Sequence, residues 1–171
     1  MVLRKSFLGI IACLLMLLPA NVRAEVIVNF YSHDLGSRFP HAFFTVKGML
    51  DRGGSVDANY GFTAKSVTPA ILMGSVAGSL EDVTPDYIAK SDKQFSVKVS
   101  DAQYDALMAL VSKWRALPGK SYNLNTRNCV HFVGEAAQVV GLSVVFDKKL
   151  MKKPKTFLLA IIDRNPRLRG S

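Results

Sequence analysis

The stretch that most constrains this chain is residues 127–134, Arg-Asn-Cys-Val-His-Phe-Val-Gly, because it predicts where a central helix begins. A turn-rich run, residues 118–123, precedes it, and apolar residues then recur at helical spacing until Gly141: Cys129, Phe132, Val133, Ala136 and Val140. This pattern puts Cys129 on the apolar, sheet-facing side of the first helical turn. Unpaired backbone N–H groups and the positive end of the helix dipole favour a thiolate there, which is what a thiol nucleophile requires.

The first 24 residues have the features of an export signal. Arg4 and Lys5 form a basic start, residues 7–18 are hydrophobic, and residues 22–24 resemble a small-residue cleavage site. We predict a secretory signal peptide cleaved after Ala24, which directs the protein to the periplasm or the outside of the cell. A retained anchor is the alternative, although the apolar run is short for a membrane span. Cys13 lies inside the apolar run rather than after it, which argues against lipidation.

Removal of the signal peptide leaves Cys129 as the only cysteine, since the chain has two in all. An intramolecular disulfide and a CxxC metal site are then excluded. A lone thiol in an oxidising compartment is a liability unless it is buried or used. The alternative to a functional thiol is a small buried hydrophobe, but the position of Cys129 at a helix start favours function.

Positive charge is concentrated at the C-terminal end of the chain. Residues 147–171 hold eight Lys or Arg against two Asp, whereas residues 25–146 are neutral overall. Such a segment would attract an anionic lipid surface or an acidic cell-wall polymer. The alternative is a solvated flank with no partner. Nucleic acid is not an expected partner, because the body of the chain has no basic, aromatic-studded face.

Hydrophobic patterning predicts an α+β domain. Strands are expected at residues 25–31, 41–47, 55–62 and 94–99, with a short one at 144–146. Helices are expected after Thr68-Pro69, at 85–90, from a capping box at Ser100 to about residue 117, and at 154–163. Residues 33–40 are predicted to be a loop and 74–79 a connector. If the apolar faces of the second and third strands point the same way, His41 shares its face with Asp57 and Asn59.

Of the three histidines, His41 is the best candidate for a general base. His131 follows Cys129 by two positions on a helix, so the two side chains point apart and His131 is interpreted as structural. His33 falls in the predicted loop and is interpreted as solvent-exposed. His41 begins a predicted strand and precedes the cysteine in the chain.

Two motifs carry a family resemblance. Asn-Cys-Val-His-Phe-Val, residues 128–133, resembles the Asn-Cys-Glu-His-Phe-Val signature of the lecithin:retinol acyltransferase-like proteins, with Val130 in place of the acidic residue. These proteins are the circularly permuted branch of the NlpC-type papain-like thiol hydrolases, in which the catalytic histidine precedes the cysteine. Residues 41–48, His-Ala-Phe-Phe-Thr-Val-Lys-Gly, resemble the histidine strand of that family, which also ends at a glycine turn.

The resemblance implies a papain-like fold with an antiparallel sheet packed against the helix that carries Cys129. It implies that Cys129 is the nucleophile, that His41 is the base, and that a polar residue on the following strand orients the imidazole. That position falls near Asn59, with Asp57 in reserve. The family usually has a second histidine there, and this chain has none.

For the developing oxyanion we expect the backbone N–H of Cys129, helped by Tyr122 or Asn128. The alternative roles of these two side chains are turn packing and helix capping. No cofactor is expected, because the sequence has no His-x-x-x-His, no Asp-rich calcium loop, no Gly-rich phosphate loop and no Gly-x-Ser-x-Gly elbow.

The sequence therefore predicts a signal peptide (1–24), a permuted papain-like thiol hydrolase domain (25–146) and a basic segment (147–171) with a short amphipathic helix packed on that domain. The predicted function is an exported cysteine hydrolase that cleaves an amide or peptide bond, cell-wall peptides included, through an acyl-enzyme. Two alternatives remain open. One is lipid acyl hydrolysis or transfer at a membrane surface, and the other is a non-catalytic envelope-binding module of the same fold.

Overall fold

A computed structural model describes residues 25–34 and 39–169, so the predicted signal peptide lies outside the described residues. Within these ranges, five strands form one antiparallel sheet in the order β4-β3-β2-β1-β5. The strands are β1 (Val26–His33), β2 (His41–Met49), β3 (Ser55–Ala64), β4 (Gly78–Glu81) and β5 (Asp92–Val99). Because neighbouring strands run in opposite directions, the last residues of β1 and β3 and the first residues of β2, β4 and β5 share one end of the sheet. We call it the His41 end.

Helices cover the sheet and fill the connections. They are α1 (Ala70–Met73), α2 (Pro85–Ala89), α3 (Asp101–Arg115), α4 (Cys129–Val139) and α5 (Pro154–Arg164), followed by a 3-10 turn, Pro166–Leu168. The two long helices that begin with capping boxes are α3, capped by Ser100 and Gln103, and α4, capped by Asn128 and His131. Each capping box satisfies backbone N–H groups that have no partner within the helix.

The main hydrophobic core lies between α4 and one face of the sheet. Phe132 of α4 stacks on Phe44 of β2, with ring centroids 5.3 Å apart, and its other neighbour is Trp114 of α3 at 5.2 Å. The same core takes in Phe157 and Leu158 of α5. This packing fixes α4 on the sheet and points its N-terminus toward the His41 end.

The opposite face of the sheet carries a smaller aromatic cluster at the His41 end. Its members are rings that lie 4.2 to 6.4 Å from one another, centroid to centroid: Tyr31, His33, His41, Phe43 and Tyr87. Tyr87 comes from α2, so this short helix covers the face that α4 leaves open.

The predicted fold class is confirmed at the level of an α+β protein with an antiparallel sheet. The register also confirms that His41 shares its face with Asp57 and Asn59, since Thr45 pairs with Asn59 and Lys47 pairs with Asp57. Because successive side chains of a strand point to opposite faces, one paired position fixes the face of every other residue in the two strands.

Three local predictions were wrong. Residues 144–146 form no strand, the expected connector at 74–79 contains the start of β4, and His33 is the last residue of β1 rather than part of a loop. Strand β4 is only four residues long and contains Gly78, so its sequence has little strand signal of its own. It forms because Phe62 and Ala64 of β3 offer partners for Leu80 and Gly78.

We predict that Phe132→Ala lowers the free energy of unfolding by about 3–5 kcal/mol, because it removes the ring between Phe44 and Trp114 and leaves a cavity in the core. Urea denaturation provides the measurement. Leu159→Ala, on the exposed side of α5, is the control and should cost less than about 1 kcal/mol. Equal losses in the two variants would contradict the central position given to Phe132.

Candidate thiol site

The thiol of Cys129 lies at the first residue of α4 and is only 4% exposed. Three backbone N–H groups lie close enough to Sγ to favour its thiolate, those of Ala42 of β2, of Val130 and of Cys129 itself, although the Val130 N–H also donates to Oδ1 of Asn128. The last two belong to the first turn of the helix, where N–H groups have no partner within the helix. The contact with Ala42 places the sulfur against the peptide that joins His41 to Ala42.

Burial dominates the acidity of this thiol. It raises the pKa of Cys129 to about 11, although the three N–H groups act in the opposite direction. The expectation of a thiolate at the helix start was therefore wrong for this structure. The predicted N–H donors are present, but the loss of hydration raises the pKa of the thiol by more than these donors lower it. At neutral pH the sulfur is a protonated thiol.

The imidazole of His41 lies across β3. Its Nε2 is 2.7 Å from the position that a Cβ on Gly61 would occupy, so only a glycine leaves room for the ring in this orientation. Burial and, to a smaller extent, the neighbouring His33 together lower the pKa of His41 to about 4. His41 is consequently neutral near neutral pH and able to accept a proton.

The thiol and the imidazole both lie near the peptide that joins His41 to Ala42, but they face different ways. Successive side chains of a strand point to opposite faces, so Ala42 enters the core beneath α4 while His41 joins the aromatic cluster. Within residues 25–34 and 39–169, no hydrogen bond joins Sγ of Cys129 to the ring of His41. The structure thus holds a neutral thiol and a neutral imidazole on either side of one strand.

A cleft of about 800 Å³ opens beside His41, whereas the buried Cys129 does not line it. His41 and Gly61 form part of its wall, Tyr87 and Tyr122 contribute aromatic rings, and Glu81 lies at the rim. A mostly apolar cleft with a few polar groups is typical of a site for a small molecule or a peptide side chain.

Tyr122 is the side chain that links the cleft to the thiol. It lines the cleft, it is buried, and burial together with the nearby Cys129 raises the pKa of its phenol well above the usual value. A phenol with a raised pKa keeps its proton and remains a hydrogen-bond donor. Of the two side chains suggested for the oxyanion, Tyr122 is the one that the structure brings to the sulfur and leaves without a hydrogen-bond partner in the described ranges.

Asn128, the other side chain expected near the oxyanion, caps the N-terminus of α4. Its Oδ1 accepts from the N–H of Val130 at 2.8 Å, and its Nδ2 donates to the carbonyl oxygens of Leu124 and Met151, each at 2.7 Å. His131 completes the cap, since its Nδ1 accepts from the backbone N–H of Asn128 at 3.3 Å. Both residues therefore hold the N-terminus of α4 in place, and the structural interpretation of His131 agrees with this geometry.

Asn59 and Asp57 share the face of His41 but do not contact its ring. The Oδ1 of Asn59 accepts from the backbone N–H of Val83 at 2.5 Å, and Asp57 forms an exposed ion pair with Lys47 at 3.0 Å. Both are further along the sheet, because their cross-strand partners follow His41 by four and six positions.

His33 is the neighbour of His41 that sequence reasoning missed. It pairs directly with His41 across β1 and β2, and its ring stacks on Tyr87 at 4.2 Å. The hydroxyl of Ser91 donates to the carbonyl of Tyr87 at 2.7 Å, so the 3.0 Å contact between Ser91 and Nδ1 of His33 requires Nδ1 to donate. Alternation in β1 continues through His33, which is the signal that could have identified it.

No family model, curated protein or solved structure matches this chain. In the part of the chain that the structure describes, no cluster of three or more His, Cys, Asp or Glu side chains is arranged to hold a metal ion. Over those same ranges no helix is both long and apolar enough to cross a membrane. The functional argument therefore depends on the geometry around Cys129.

We predict that Gly61→Ala displaces the imidazole without unfolding the protein, since the new methyl group would meet the movable end of the ring. In an NMR titration the pKa of His41 should rise from about 4 toward 6.5, because the displaced ring becomes more hydrated. Gly74→Ala is the matched control, since a Cβ there meets nothing within 4 Å. An unchanged pKa in Gly61→Ala would contradict the described ring position.

We also predict that alkylation of Cys129 by iodoacetamide is slow near neutral pH and rises with a midpoint at about pH 11. The reactive species is the thiolate, and below its pKa each pH unit costs a factor of about ten in its population. Mass spectrometry of the peptide that contains Cys129 gives the rate. A midpoint below pH 8 would show that the thiol is activated in the resting protein.

Proposed function

We propose that this protein is a thiol hydrolase in which Cys129 attacks an amide or peptide carbonyl and forms an acyl-enzyme. The observation that carries the proposal is the contact of Sγ with the N–H groups of Ala42, Val130 and Cys129, at the peptide that follows His41, since His41 itself lines the cleft. Donors arranged around a sulfur at a helix start are the groups that stabilise negative charge as an acyl transfer proceeds.

His41 acts as the base after its ring has turned from Gly61 toward the sulfur. With pKa values of about 11 for the thiol and about 4 for the imidazolium, an ion pair in the resting arrangement would lie on the order of 9 kcal/mol above the neutral pair. The proton therefore moves to His41 only when a bound substrate has brought the two groups together. His41 then protonates the leaving amine and activates water for deacylation.

The backbone N–H of Cys129 and the phenol of Tyr122 bind the oxyanion in this proposal. Tyr122 fits this role because its phenol is protonated, lies by the thiol and lines the cleft. To orient the imidazole, Asn59 would have to release the N–H of Val83, and Asp57 would have to release Lys47. His33 already neighbours His41 across the sheet and is the third group that the geometry favours.

The proposed fold is the circularly permuted papain-like one, exported to the periplasm or secreted. The order of histidine before cysteine, the antiparallel sheet and the cysteine at the start of α4 support it. The proposed substrate is a peptide or amide of the cell envelope, cell-wall peptides included, and the reaction needs no cofactor.

An acyl-donating electrophilic probe tests this mechanism. We expect labelling of Cys129 in the wild type, none in Cys129→Ala, and a rate lowered by about 10² to 10⁴ in His41→Ala, because the loss of a general base has that magnitude. His33→Ala tests the proposed third group and should lower the rate by less than His41→Ala does, because His33 does not itself transfer the proton. Mass spectrometry identifies the labelled residue. Equal labelling rates in His41→Ala and the wild type would remove His41 as the base.

A non-catalytic envelope-binding module is the second candidate, and the burial of the neutral thiol favours it. A thiol inert to the acyl probe, in a protein that still binds envelope material, would support this candidate. The third candidate is lipid acyl hydrolysis or transfer, favoured by the exposed Phe39 and Val67 at the cleft. Release of fatty acid from phospholipid vesicles without cleavage of muropeptides would support it.

A further inference from the structure

Three loops meet at the His41 end of the molecule. They are residues 65–77, which contain α1, residues 116–128, which lead into Cys129, and residues 148–155, which lead into α5 and include its first two residues. Val76 forms a β-bridge with Tyr122, and Asn123 Nδ2 donates to Ser75 Oγ at 3.1 Å. Asn128 Nδ2 donates to the carbonyl of Met151 at 2.7 Å. These bonds join the three loops into one surface, which we call the loop surface.

The loop surface is strongly and exclusively basic in its charged side chains. Its three segments contain eight Lys or Arg and no Asp or Glu. Seven of the eight are exposed and have no ion pair among the described residues; Lys155 alone is paired, with Asp34 and Asp92. Asp147 borders the surface, and its carboxylate accepts from the backbone N–H of Lys149 at 2.8 Å. The surface therefore carries seven exposed cations without an ion pair among the described residues, while Glu81 and Asp82 line the adjoining cleft.

The same surface exposes large apolar side chains. In α1, Ile71 is buried, but Leu72 is 72% and Met73 is 89% exposed, and Val67 lies beside the cleft at 59%. Exposing neighbouring apolar side chains among cations is unfavourable in water unless a partner covers them. A polyanionic polymer would satisfy the charges alone, whereas an anionic bilayer takes up both the charges and the apolar tips.

We propose that the loop surface docks the protein on an anionic phospholipid bilayer, with Leu72 and Met73 entering the interface and the lysines contacting lipid phosphates. This orientation would hold the cleft and the N-terminus of α4 next to the membrane. The proposal does not depend on thiol chemistry, so Cys129→Ala binds as the wild type does. An acidic cell-wall polymer is the competing occupant and is an outcome of the test.

Vesicle co-sedimentation tests the docking with the protein recovered after export. The wild type should bind vesicles of equimolar phosphatidylcholine and phosphatidylglycerol, and should bind pure phosphatidylcholine vesicles much more weakly. Lys152→Gln with Lys153→Gln should reduce the affinity about 25-fold, since each basic side chain at such a surface contributes about fivefold. Leu72→Ser with Met73→Ser should reduce it about tenfold through lost apolar insertion.

Matched controls lie away from the loop surface. Lys98→Gln with Arg164→Gln removes the same charge from the far end of β5 and the C-terminal end of α5, and Met49→Ser removes an exposed apolar side chain from the far end of β2. These controls should bind within about threefold of the wild type.

Two results would overturn the proposal. The first is equal binding to neutral and anionic vesicles, or equal losses in the control and test variants. The second is a double variant, Leu72→Ser with Met73→Ser, that binds the vesicles as the wild type does and is displaced by soluble polyglutamate to the same extent as the wild type. This result would indicate binding of an acidic polymer through charge alone. Loss of thiol labelling in the probe experiment would leave the docking result unaffected, so the two proposals fail separately.

Discussion

The packing of α4 on the sheet is the interaction on which the site depends. Phe132 between Phe44 and Trp114 holds the helix, and the Asn128 cap ties its first turn to the carbonyl oxygens of Leu124 and Met151. These contacts fix the start of the helix in position as well as direction, and they bring the sulfur of Cys129 against the backbone of Ala42. A helix start held by both apolar packing and hydrogen bonds cannot shift without breaking buried polar contacts.

This buried position makes the thiol of Cys129 less acidic. A helix N-terminus favours an anion by a modest amount, whereas removal of a charge from water disfavours it by more. Both effects act on Cys129, and burial is the larger one, so the pKa of the thiol is raised. The same reasoning explains His41, whose burial favours the neutral imidazole. In the described structure, burial therefore keeps both the thiol and the imidazole neutral near neutral pH.

Sheet geometry separates the imidazole of His41 from the sulfur of Cys129, although both lie near the peptide that joins His41 to Ala42. His41 faces Gly61 and the aromatic cluster, and Cys129 approaches from the side of the core. The cleft and the basic loops meet at this same end of the sheet, because α4 and α5 both begin there and their preceding loops are joined through Asn128. A single end of the fold thus holds the thiol, the candidate base, the cleft and the proposed membrane contact.

The sequence alone determined most of the elements, since the capping box at Ser100, the apolar stripe of α4 and the alternation of β3 depend on neighbours in the chain. It also identified the candidate nucleophile and base from residue type and motif. Only the tertiary structure decided the environment of His33, the existence of β4 and the acidity of Cys129. Each of these depends on a strand or helix distant in sequence, so burial and cross-strand partners, which local patterns do not encode, determine them.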